Sequence, residues 1–220
     1  MKIVEPYVEV EPINGIEIMK KIEKACRTCY RSEGNITEDS YKRLLQNCIT
    51  RGHESVLEHE KVSVRINADI GVYKDLTRHR IASFSIESTR YCNYGKDKFD
   101  NEIKFIKPCN IEEGTELYEK WHNACKEIEN NYMEMVDLGA TPDQMRMILP
   151  HSTASEIAMT ANIREWKHIL ELRTTTHVHP AVRQVMIPLL LYFKEEMPEI
   201  FGGIEYDKEF PKEKYAKIIK

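Results

Sequence analysis

Arg78-His79-Arg80-Ile81-Ala82-Ser83-Phe84-Ser85-Ile86-Glu87-Ser88-Thr89-Arg90-Tyr91 brings three guanidiniums and an imidazole within thirteen residues, Arg78 to Arg90. Each guanidinium offers a planar fork of donors that matches phosphate oxygens, and each charge-assisted bond contributes roughly 1.5 to 3 kcal/mol when partly shielded from water. One phosphate rarely needs three such forks. Apart from Glu87, the residues between them are small hydroxyls and apolar groups, which suit a lined pocket. An open basic face, or a patch for nucleic acid, would carry more lysine.

The rest of the chain supports that choice. The formal net charge is −4, whereas nucleic-acid binders show a broad basic face, so basicity here is local and no nucleic-acid partner is expected. With 220 residues, 41% hydrophobic and 31% charged, the composition is that of an ordinary globular protein, and a single domain over residues 1–220 is predicted. No apolar run approaches the ~20 residues of a membrane span, and Met1-Lys2-Ile3-Val4-Glu5-Pro6 lacks the apolar core of a secretory signal. A cytoplasmic protein with reduced cysteines is expected.

Hydrophobic periodicity predicts a helix-rich α/β chain. Residues 16–31, 37–51, 69–77, 112–138, 142–148, 165–175 and 180–197 read as helices, with Thr37 as N-cap of the second and Pro142 at the first position of the fifth. Residues 60–67, 102–107 and 155–163 read as strands; the first alternates Val62, Val64 and Ile66 with Ser63, Arg65 and Asn67. From Phe201 onward the chain is polar and charged, and weak order is expected. No repeat, linker, Gly-x-Gly-x-x-Gly or Walker loop occurs.

Two spacings suggest metals and are set aside. Cys26-Arg27-Thr28-Cys29 has no second such pair and lies in a helical pattern, so a buried helix is the reading. His53-Glu54-Ser55-Val56-Leu57-Glu58-His59 places its histidines six apart, on different faces of a helix, where a metal motif needs four. No metal site is predicted; His53 and Ser55 are expected to line the site, and His59 to make a structural hydrogen bond.

The Arg-His-Arg, seven residues, Ser pattern from Arg78 to Ser88 resembles the signature of the flavin-dependent thymidylate synthases. Gly52-His53-Glu54-Ser55, Arg146-Met147-Ile148-Leu149-Pro150, Asn162-Ile163-Arg164 and Leu172-Arg173 extend the resemblance over most of the chain. The resemblance implies a central, mostly antiparallel sheet flanked by helices, and a homotetramer with active sites at subunit interfaces. It also implies reductive methylation of dUMP to dTMP, with 5,10-methylenetetrahydrofolate giving the carbon and NADPH reducing FAD.

By the same resemblance Ser55, Arg78, His79, Arg80, Ile86, Asn162, Arg164 and His168 would contact FAD, Ile86 only through backbone or packing. Arg78, Glu87, Ser88, Thr89, Arg90, Arg146 and Arg173 would hold dUMP, with Arg173 the catalytic residue that stabilises the ionised pyrimidine N3. His53 either faces the folate side of the flavin or bonds a backbone carbonyl. Asp75 stands where many relatives have glutamine, and His168 where asparagine is frequent. Contacts beyond Arg173, through Thr176-His177-Val178-His179-Pro180, are not carried over. Pro108-Cys109 is similar to the nucleophile of the unrelated thymidylate synthases, but nothing in the sequence sets a base beside Cys109, and no cysteine is expected to act as nucleophile.

Overall fold

The computed structural model describes all 220 residues. Five strands form the main sheet: β2 (Tyr7–Val10), β3 (Lys61–Asp69), β4 (Ala82–Ile86), β6 (Ala154–Asn162) and β7 (Lys217–Ile219), in the order β4-β6-β3-β2-β7. The first three pairings are antiparallel and β2–β7 is parallel, so the expected mostly antiparallel sheet is found. β1 (Lys2–Val4) and β5 (Lys104–Ile106) form a separate parallel pair.

Alternation along β3 explains its place at the centre. Val62, Val64, Ile66 and Ala68 are buried, while Lys61, Ser63 and Arg65 are exposed. The helices are α1 (Gly15–Thr28), α2 (Ser40–Thr50), α3 (Ile70–Leu76), α4 (Glu116–Asp137), α5 (Pro142–Met145), α6 (Ile163–Arg173), α7 (Pro180–Glu196) and α8 (Pro198–Phe201). α7 is buried around most of its circumference, from Val182 to Phe193, and forms the axis of the main core together with Trp166, Ile169 and Leu170 of α6. The opposite face of the sheet is polar, with Ser63 and Thr160 hydrogen-bonded at 2.7 Å and Arg65 paired with Glu156 at 2.8 Å. Helices therefore flank the sheet on one face. α4 packs on a smaller cluster around Ile103, Phe105, Tyr132 and Met145.

Most predicted helices and strands are present within a few residues of their predicted bounds, with four departures. Thr37 is not an N-cap: α2 begins at Ser40, whose hydroxyl is occupied by the Thr37 N–H, the Thr37 carbonyl and the Glu23 carboxylate. The predicted 142–148 helix tightens into a 3₁₀ turn over Arg146–Ile148. The signature itself contains β4, which periodicity did not separate from a loop. The tail is ordered: Ile204, Phe210 and Ala216 are buried and Lys217–Ile219 pairs with Tyr7–Glu9. No helix is long and apolar enough to cross a membrane.

Candidate active site

α3 leads directly into the signature. Asp69 caps it by accepting the Val72 N–H at 2.8 Å, and after Leu76 the chain turns so that His79 is buried while Arg78 and Arg80 stay exposed. α6 arrives from β6, with Asn162 as its cap, accepting the Glu165 N–H at 2.8 Å. Together they enclose a groove of about 500 Å³ lined by Arg78, His79, Arg80, Asn162, Arg164 and His168, with Glu58 and Glu165 on its walls. Arg78 and Arg80 form no ion pair within the chain, whereas Arg164 pairs with Glu58 at 2.6 Å. Two guanidiniums without carboxylate partners at one groove leave their donor forks open to an anion. A second cavity, of about 520 Å³, shares Glu58, Arg80, Ile81 and Asn162 and continues along Ser83 and Thr160.

Arg173, the last residue of α6, is anchored through all three nitrogens. Nε donates to His79 Nε2 at 2.9 Å, Nη1 to Asp75 Oδ1 at 3.2 Å and Nη2 to the Asp75 carbonyl at 2.9 Å. Burial and the adjacent Arg173 charge push the His79 imidazole down to about 4, so it is neutral and able to accept. Its other nitrogen lies 3.5 Å from Glu165, and the His168 ring stands edge-on at 5.9 Å.

The remaining predicted residues are grouped elsewhere on the protomer. Ile86 is exposed at the end of β4; Glu87 follows, its N–H bonded to the Glu156 carbonyl and its carboxylate accepting from the Tyr94 hydroxyl at 3.1 Å. Ser88 and Thr89 turn the chain toward Arg90, with the Ser88 carbonyl accepting from Tyr91 and Cys92. Arg90 and Arg146 meet at one carboxylate, Asp143, at 3.3 and 3.4 Å. Ser55 and His53 line a third cavity, of about 350 Å³, with Cys26 and Cys48. His59 is exposed and lines the second cavity with Arg80, where a structural hydrogen bond was expected. Cys26 and Cys48 are buried with sulfurs 3.5 Å apart, and all six cysteines are free thiols.

Sequence reading missed Glu58, which was hidden inside the metal-like string, and Glu165, which backs His79. Lys74, His151 and His179 were missed as well; with Asp75 and Arg78 they line a cavity of about 460 Å³ beside the Arg173 anchor. Asp75 was marked in the sequence only by its departure from the glutamine of many relatives, and Glu165 carried no signal beyond its place in the predicted helix.

Several known proteins are similar to this chain. A flavin-dependent thymidylate synthase of Pyrococcus abyssi is 36% identical over 156 residues, covering 70% of this chain and 63% of the relative. One of Corynebacterium glutamicum is 27% identical over 223 aligned positions, covering 92% and 86%. The chain thus spans less than two thirds of the length of the Pyrococcus relative. Among solved structures, the UMP/dUMP methylase PolB from Streptomyces cacaoi, bound with 5-Br dUMP, superposes with a TM-score of 0.75 at 22% identity, covering 92% and 96%, and shares the fold. A model of the thymidylate synthase complementing proteins matches residues 16–199, the stretch that holds every site residue described above, and the chain belongs to that family.

Proposed function

We propose that this chain is a flavin-dependent thymidylate synthase, converting dUMP to dTMP with 5,10-methylenetetrahydrofolate as carbon donor and NADPH as reductant of FAD. The observation that carries the reading is the groove in which Arg78 and Arg80 lack carboxylate partners, adjacent to an Arg173 held at three points. Two open guanidiniums fit the pyrophosphate of a dinucleotide, and the amide of Asn162, whose oxygen is engaged at the α6 cap, keeps its NH₂ for an acceptor. When bound, FAD supplies the hydride transfer that side chains cannot perform.

The chain's own groups bind, orient and polarise. Arg78, His79, Arg80, Asn162, Arg164 and His168 would hold the cofactor from one protomer. Ser55 and Ile86, which face other cavities or solvent, would serve a neighbouring subunit's site. The same holds for Glu87, Ser88, Thr89, Arg90 and Arg146 toward the nucleotide. Such sharing supports the homotetramer we propose; the cytoplasm is proposed as its location. Arg173 keeps free N–H groups that can stabilise negative charge at pyrimidine N3, an electrostatic contribution that needs no nucleophile. His53, beside Ser55, would meet the folate.

The absorbance spectrum of the purified protein tests the reading. Flavin bands should bleach with NADPH and return when dUMP and methylenetetrahydrofolate are added, with thymidylate formed. A colourless protein that also rejects added flavin would refute it, and sedimentation reads the tetramer.

A further inference from the structure

We infer that Asp75 is the positioning residue for Arg173, fixing the guanidinium and offsetting part of its charge; the nucleotide consequence rests on the function proposed above. Asp75 meets Arg173 twice, through its carboxylate at 3.2 Å and its main-chain oxygen at 2.9 Å, and pairs with no other cation. With Nε engaged by His79, three of the five guanidinium N–H groups are spent within the protein. One N–H on each terminal nitrogen remains for a ligand. A guanidinium held this way keeps its fork in one orientation without loss of side-chain freedom on binding.

The charges around the pair are all identifiable. On α3, Lys74 donates to His151 Nε2 at 2.8 Å and Arg78 lines the same cavity; Asp69 caps the helix, and His179 faces in from the start of α7. Behind Arg173 lie His79, Glu165 and His168. Glu165 is separated from the guanidinium by the His79 ring, so Asp75 is the one carboxylate in contact with Arg173. A glutamine there could accept the same bond but would leave the guanidinium charge whole. The aspartate should therefore let a bound pyrimidine ionise at a higher pH than Arg173 alone would impose.

Two variants separate orientation from charge. D75N keeps an acceptor and removes the charge, so ultraviolet titration of bound dUMP should show N3 ionising about one pH unit lower than in the parent protein. D75A removes both, and kcat should fall roughly tenfold while KM for NADPH and flavin binding are unchanged. Titration of D75N coinciding with the parent, or D75A turning over at the parent rate, would overturn the inference. A parent protein that binds no dUMP would refute the thymidylate reading instead. The anchoring is then read by phenylglyoxal mapping: Arg173 should be modified several-fold faster in D75A, and equal rates would sink it.

Discussion

Nε of Arg173 donates to Nε2 of His79 at 2.9 Å, joining the end of α6 to the Arg-His-Arg signature across 94 residues of sequence. The bond requires a lone pair on the imidazole, and protonation would replace it with a donor facing a guanidinium. His79 therefore couples the site to pH.

The folded pKa of about 4 lies below the ordinary histidine value of 6.5. Between those pH values the unfolded chain binds the proton and the folded chain does not, so stability falls as pH drops from 6.5 toward 4 and is unaffected above 6.5. The full effect is about 3 kcal/mol, reduced to the extent that Glu165, 3.5 Å away, accommodates an imidazolium. Urea melts at pH 7 and pH 5 should show a larger loss for the parent protein than for H79Q. Equal losses would exclude His79 as the coupling group.

Arg173 itself is tested by R173A. Loss of a donor aimed at developing charge costs on the order of 10²- to 10³-fold in kcat. Flavin binding should persist, because Arg78 and Arg80 reach the groove independently. R173K should recover little, since an ammonium cannot occupy the His79 and Asp75 acceptors with a planar fork. Near-normal turnover of R173A would remove Arg173 from the chemistry.

The legible parts of this molecule were those with a local cause. β3 and β6 announce themselves by alternation, and α7 by an apolar run opened by Pro180. The run Arg78-His79-Arg80 is legible as a cluster of donors, and the structure sets all three residues at one groove. Asp75 could not be assigned because its meaning lies in Arg173, 98 residues away. β4 and β7 were equally hidden: one is short and mixed in polarity, and the other pairs in parallel with a strand at the far end of the chain. The division of site residues among several cavities is likewise a property of packing, which spacing does not encode.

Cys109 should be dispensable. Burial pushes its thiol up to about 11, so little thiolate exists near neutrality. C109S should keep turnover within about twofold, and iodoacetamide should label the parent's Cys109 more slowly at pH 8 than the exposed Cys29. Loss of activity in C109S, with an unchanged melting temperature, would restore the cysteine as a participant.

The C-terminal tail bears on the same site from behind. Asp207 donates its N–H to the carbonyl of Thr174, the residue after Arg173, at 2.8 Å, while its buried carboxylate pairs with Arg183. Phe210 lies against that guanidinium at 5.1 Å. D207A would leave Arg183 partly buried, its Nε already without a partner, and should destabilise the fold by roughly 3 kcal/mol. R183M/D207L removes both charges and should regain most of that loss, since what D207A exposes is an uncompensated cation. Denaturant midpoints decide it: a double variant as unstable as D207A would mean that the loss comes from the missing carboxylate contacts, which include the Glu209 N–H, and not from an uncompensated cation.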